Sequence, residues 1–248
     1  MIKKSSIFLL VIFFFVSCKK ENEFDCFKST GTEITETRDA SAFTVIKLFD
    51  KIDLNINKGP DFKVEVIAGK HVIDNVKTTL ANGILSINNT NKCNFVRGYK
   101  RKVTVNITLP YIVRVENRGV GTIRFNENFA QDTIQLIAEN SGDIYLNGTY
   151  NQIKTGSHGD GDIYLNGTCN RLYGYLYGTN LIDATKLTVN TYIFIETISI
   201  ADCHINAPEG GTLEYNIWRK GNIYYKGNPS VINSFSNGYG QGKLIKEN

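Results

Sequence analysis

The chain has 248 residues, with 28 Lys+Arg against 24 Asp+Glu and a formal net charge of +4. So small an excess gives no electrostatic case for nucleic acid binding. A length of 248 residues is ample for a sizeable core, and long amphipathic helical patterns are absent.

Met1-Ile2-Lys3-Lys4 is followed by ten unbroken apolar residues, Ile7 to Val16. That is the length of a signal-peptide core and too short to span a bilayer. The run ends at Phe15-Val16-Ser17-Cys18, a small residue before Cys, as in a bacterial lipobox; Phe15 departs from the usual Leu-type residue. The expectation is a signal peptide over 1–17, acylation at Cys18, and membrane attachment through that lipid. Loss of Lys3 and Lys4 lowers the net charge from +4 to +2. The charged run Lys19-Lys20-Glu21-Asn22-Glu23 opens a lipidated tether over 18–40. It is also similar to the segments that mark surface-exported lipoproteins of the Bacteroidetes. The location expected is the outer membrane, on its periplasmic or its cell-surface side.

Residues 41–248 read as one all-β domain, with a less regular part over 41–118 and regular coils over 119–248. In the first part, Phe43–Leu48, Ile52–Ile56 and Phe62–Val66 have strand character, with a turn at Lys58-Gly59-Pro60-Asp61. Val72–Val76 fits a single helical turn. Asn82-Gly83 joins Val76–Leu80 to Ile84–Ile87 as a hairpin. Val103–Leu109 is stopped by Pro110, and Val113–Glu116 leads into the repeats. Either a small sandwich or an irregular opening of a solenoid accommodates this part.

Beyond it, Gly142-Asp143-Ile144-Tyr145-Leu146-Asn147-Gly148 recurs as Gly161-Asp162-Ile163-Tyr164-Leu165-Asn166-Gly167, with an echo at Gly221–Gly227. Aligned on the first apolar residue, the column runs Ile123, Ile144, Ile163, Ile182, Cys203, Ile223, Leu244, in steps of 19 to 21 residues. A second column, Phe125, Leu146, Leu165, Ala184, Ile205, Tyr225, Lys246, lies two positions on. The residues between point outward: Arg124, Tyr145, Tyr164, Asp183, His204, Tyr224. Period-two alternation means strands, and a fixed step of about 20 residues means stacked coils. The expected architecture is a right-handed, single-stranded parallel β-helix, or β-solenoid, the hand following from the bias of parallel crossovers. A looser column, Tyr150, Cys169, Leu187 and then Ile153, Leu172, Val189, predicts a separate second short strand per coil. Asn-Gly after two of the strands predicts turns with positive φ.

Besides Cys18 there are four cysteines, which permit three pairings. Cys169 and Cys203 fall in inward columns and read as small buried hydrophobes. Cys26 and Cys93 lie in polar segments of an exported chain, and their bridge is the favoured one. No zinc spacing and no cofactor motif occurs. Gly156–Ile163 carries one copy of a Gly-and-Asp turn like those that bind Ca²⁺ in other solenoids; a single copy reads as a plain turn.

Two classes of function remain. Tyr145, Tyr164 and Tyr224, beside Asp143 and Asp162, suit a non-catalytic binding face for carbohydrate or a surface protein, or else a ladder that stabilises stacked strands. Trp218 and the Tyr173–Tyr177 cluster read as core or loop filler. The alternative is a polysaccharide-active enzyme, a lyase or glycoside hydrolase: coils stacked about 4.8 Å apart bring Asp143 and Asp162 near the ~5–5.5 Å of a retaining carboxylate pair. Against it, an Asp before each strand also serves to bond turn backbone. A purely structural envelope component is a third reading. Nothing in the residues fixes an oligomeric state.

The lipobox, Cys26-Phe27-Lys28-Ser29-Thr30-Gly31, Phe43-Thr44-Val45-Ile46, Asp53-Leu54, Lys63-Val64-Glu65-Val66, Asn82-Gly83-Ile84-Leu85-Ser86-Ile87 and the Gly-Asp-Ile repeats, in that order, resemble the putative auto-transporter adhesin, head GIN domain family, a domain-of-unknown-function group of Bacteroidetes lipoproteins. The resemblance spans most of 26–248. It implies a secreted or outer-membrane β-solenoid, and it carries over no catalytic residues.

Overall fold

The computed structural model describes residues 29–92, 102–126, 128–235 and 240–247. The leader 1–17, Cys18 and the expected Cys26–Cys93 bridge lie outside the described residues. Among those described there are eighteen strands, a single 3-10 turn at Ile73–Asn75 and no α-helix. The strands stack as a β-solenoid of about 6 turns, with ~20 residues between parallel bridges.

The regular part is built from β9 (Ile123–Phe125), β10 (Phe129–Ala138), β11 (Ile144–Ser157), β12 (Ile163–Leu176) and β13 (Ile182–Thr197), followed by β14 (Cys203–Asn206), β15 (Thr212–Ile217), β16 (Ile223–Lys226), β17 (Val231–Ser234) and β18 (Leu244–Lys246). Ile144 pairs with Ile123 on one side and Ile163 on the other, and Ile163 pairs with Ile182. Cys203, Ile223 and Leu244 continue the column. Each residue thus buries against its counterpart one rung away; Ile144, Ile163, Ile182 and Ile223 are 0% exposed. Burying such a side chain is worth roughly 1.5–3 kcal/mol, so the column alone is a large part of what holds the rungs together.

The predicted second strand is not separate in the middle rungs. β11, β12 and β13 run for 14, 14 and 16 residues and serve both limbs of their rung. β13 also has two bulges against β12, so Leu187 faces Gly167, Val189 faces Cys169 and Ile193 faces Leu172. The longer step into β14 thus shifts Leu187 and Val189 out of the expected column. The Asn-Gly pairs sit inside the strands, not in turns. Gly167 has φ +115, and a Cβ there would lie 1.9 Å from the Gly148 carbonyl oxygen. At the opposite corner, a Cβ on Gly161 would lie 2.3 Å from the Gly142 carbonyl oxygen. Glycine is required at these corners because the rung below approaches too closely for any side chain.

The opening is a solenoid too, but its rungs are out of chain order. β2 (Val45–Leu48) lies parallel between β6 (Ile84–Asn89) and β8 (Arg114–Asn117). Likewise β3 (Ile52–Lys58) lies between β7 (Val103–Leu109) and β9. The first rung in the chain is therefore flanked on both sides by later ones. Antiparallel strands finish this end: β4 (Lys63–Gly69) on β7, β1 (Glu33–Arg38) on β4, and β5 (Val76–Ala81) on β6. The β5–β6 hairpin turns at Asn82 (φ 51) and Gly83 (φ 72), the geometry that Asn-Gly favours. One continuous core runs from Phe43 to Tyr225.

Candidate functional site

The outward column of the first limb is in register as expected. Arg124, Tyr145, Tyr164 and Asp183 pair in sequence, then His204 and Tyr224. Its rings lie flat on one another: Tyr145 and Tyr164 have centroids 4.6 Å apart at 6°, and His204 and Tyr224 4.9 Å apart at 8°. The Arg124 guanidinium lies 4.9 Å from the Tyr145 ring centroid. Ring faces are therefore covered by neighbours, and ring edges and hydroxyls are what point outward.

The carboxylates beside them bind the fold to itself. Asp143 accepts from the Asp162 N–H at 3.0 Å and from the Tyr145 hydroxyl at 3.4 Å. Asp162 accepts from the Leu181 N–H at 3.0 Å and from the Tyr164 hydroxyl at 3.2 Å. Asp202 accepts from Asn222 N–H at 2.7 Å, Asn222 from Lys243 N–H at 3.0 Å, and Asp53 from Thr122 N–H at 3.0 Å. Each staples its own rung to the next. Asp143 and Asp162 have one oxygen on backbone and the other on a phenol. Burial first, then the Asp162 charge, pushes the Tyr164 hydroxyl up to about 12. Burial, followed by Asp143, raises Tyr145.

The second limb carries an aromatic surface at Tyr173–Tyr177, where core or loop filler is expected from the sequence. Leu172, Gly174 and Leu176 point inward, so Tyr173, Tyr175 and Tyr177 stand outside, half-buried. On the next rung stand Tyr192 and Phe194. These rings are tilted: Tyr173 and Tyr192 lie 5.5 Å apart at 47°, Tyr175 and Phe194 5.7 Å apart at 56°. Two carboxylates edge the patch. The Tyr177 hydroxyl donates to Glu196 at 2.6 Å and the Tyr192 hydroxyl to Glu214 at 2.5 Å. Burial and the bond to Glu196 push Tyr177 up to about 12, and burial raises Tyr192 likewise, ahead of Glu214. The strict alternation Leu172-Tyr173-Gly174-Tyr175-Leu176 was the signal available in the sequence.

Lower on the same limb, Glu116 is 2% exposed. Arg118 Nε lies 2.7 Å from it, Arg114 Nε 2.9 Å and Lys47 Nζ 3.7 Å. A buried carboxylate needs such partners, and the cluster is a structural anchor.

Cys169 and Cys203 are buried and unpaired. Burial pushes the Cys169 thiol up to about 12 and raises Cys203, so both are inert. Asp160, in the Gly156–Ile163 turn, bonds the Thr179 hydroxyl of the next rung. Among the described residues no group of three or more His, Cys, Asp or Glu is arranged to hold a metal ion. No helix among them is long and apolar enough to cross a membrane.

Stacked parallel rungs with tyrosine-rich outer surfaces define the class: a β-solenoid. The chain belongs to the family described as putative auto-transporter adhesin, head GIN domain, which it matches over residues 42–229. Among curated proteins none matches it. Solved structures with the same fold include a protein described as a putative adhesin from Bacteroides fragilis (TM-score 0.75, 19% identity, covering 87% of this chain and 97% of that one). Another putative adhesin, from Parabacteroides distasonis, has a TM-score of 0.67 and 17% identity over 88% of this chain and 98% of that one. A third protein, from the same organism, is described as a putative lipid binding protein (TM-score 0.64, 16% identity, 89% and 98% covered). At these identities the likeness is one of fold.

Proposed function

We propose that this chain is an exported, lipid-anchored binding protein of the outer membrane that contacts carbohydrate without cleaving it. The contact surface is the patch of Tyr173, Tyr175, Tyr192 and Phe194, edged by Glu196 and Glu214. The observation that carries this reading is ring tilt. A sugar stacks its C–H face on an aromatic face, and rings inclined at 47° and 56° leave faces open that rings stacked at 6° and 8° do not. Carboxylates held by tyrosine hydroxyls then supply fixed acceptors for sugar hydroxyls. The Tyr145, Tyr164 and Tyr224 column, with Asp143 and Asp162, is a stabilising ladder in this reading, its carboxylates bonded to backbone N–H groups and tyrosine hydroxyls of the fold. Attachment through Cys18 rests on Phe15-Val16-Ser17-Cys18 and the charged run behind it. An envelope location agrees with the family's description as an adhesin.

The test is glycan-array binding by the intact protein. Tyr175→Ala and Phe194→Ala should each lower binding about tenfold, Tyr164→Ala should leave it, and no reducing ends should appear. Binding that follows Tyr164 instead would move the site to the stacked column. Lipid anchoring is read separately: Cys18→Ser should abolish incorporation of labelled palmitate.

A further inference from the structure

The two ends of the solenoid are finished differently. At the amino-terminal end the outer strands are antiparallel, β1 on β4 and β5 on β6, and β1 carries Glu33, Glu36 and Arg38. Charge on an edge strand deters further pairing. At the other end, among the described residues, β17 pairs with β15 alone and β18 with β16 alone, both in parallel. Ile232 is 44% exposed, whereas Leu213, its counterpart one rung below, is 0% exposed. Val231 and Phe235 beside it are 42% and 56% exposed.

We propose that two copies of this chain join end to end through β18, antiparallel and two-fold symmetric about Ile245. The backbone sets the register. Ile223 N–H donates to the Lys243 carbonyl and Glu247 N–H to the Tyr225 carbonyl. Residues 243, 245 and 247 therefore turn their main-chain groups toward β16, and 244 and 246 turn theirs to the open edge. Pairing about Ile245 makes Leu244 and Lys246 of the two copies a hydrogen-bonded pair, and Ile245 meets its own copy in the closer, non-hydrogen-bonded pair. The same register sets Lys243 opposite Glu247 of the second copy, twice over. A register centred on Lys246 opposes two like charges, and one centred on Leu244 leaves Glu247 unmatched. Among the described residues, Glu247 Oε1 lies 3.9 Å from His204 Nδ1. Lys246 Nζ donates to Asn228 Oδ1 at 2.7 Å, which turns its charge away from the apolar seam. The charged antiparallel edge at the far end offers no match for β18, so the contact closes on itself as a dimer rather than growing into a filament.

Analytical ultracentrifugation of the full chain in detergent should give the mass of two copies. Ile245→Cys should yield a disulfide-linked dimer on a non-reducing gel, because the central pair has Cα atoms about 4.5 Å apart; Thr35→Cys, on β1, should not. Lys243→Glu and Glu247→Lys should each weaken association about tenfold, since each reversal acts twice, and the double reversal should restore it. A monomer at all concentrations, or an Ile245→Cys chain that stays unlinked, overturns the proposal. Failure of the double reversal to restore association overturns it as well.

Discussion

The opening of this molecule and its later coils bury their cores equally well by different means. Leu54 in β3 and Ile163 in β12 are both 0% exposed. In the coils, partners lie one rung apart in the chain: Asn170 donates to Asn151 and Asn190 to Asn170, 19 and 20 residues apart. In the opening, Asn55 donates to Asn106 across 51 residues, and Thr122 to Asp53 across 69. A rung that waits for a distant partner costs more loop-closure entropy, and this end is also the one finished with antiparallel strands. Stacking is a matter of shape and burial; chain order is only the cheapest way to achieve it.

The contrast can be broken first at a corner. Gly161→Val should cost about 4 kcal/mol or more, because its side chain enters the carbonyl of the rung below, and calorimetry should find little folded protein. Next, Leu54→Ala and Ile163→Ala should each cost about 2–5 kcal/mol in denaturant unfolding. Similar costs in a single transition would show that the two regions stand or fall together; two transitions would separate them. Asp162→Ala, which strands the Leu181 N–H, should cost about 1–3 kcal/mol, and Asp53→Ala should act the same way on Thr122 in the opening.

A gentler probe is alkaline titration of the coils. The Tyr164 and Tyr177 hydroxyls stand at about 12 in the folded chain against 10.0 for a free tyrosine. A raised folded value means that their contribution is complete below pH 10 and is lost as the pH rises through 12. Phenolate absorbance should lag that of free tyrosine, and thermal stability should fall across that window. The smallest effect belongs to Gly156→Ala. A Cβ there meets nothing within 4 Å, so the change should stabilise by no more than about 1 kcal/mol, the reverse of Gly161→Val.

The coils were legible in the sequence because each rung repeats the last. The column through Ile144 and the outward Tyr145 column stand in register, the Leu146 column is interrupted by a bulge between Leu165 and Ala184, and Asn82-Gly83 marked its hairpin correctly. The joining of two short strands into β11, β12 and β13 was not legible, since a bend at Gly148 or Gly167 resembles a turn. Nor was the insertion of β2 and β3 between later rungs: alternation gives a strand its faces but says nothing of its neighbours. On the outer surface, spacing put Tyr145 and Tyr164 together but was silent on ring tilt, which separates a ladder from an open platform. The Tyr173–Tyr177 segment obeys the same period, so its rings stand on the outer face of a strand rather than in core or loop.

Residues 142–160 and 161–179 have matching registers and matching corners, which makes them interchangeable parts. Tandem duplication of either segment would lengthen the rod by about 4.8 Å and leave both termini of the stack as they are. The length of the stack is then adjustable by copying one short stretch of gene, with no new fold to invent.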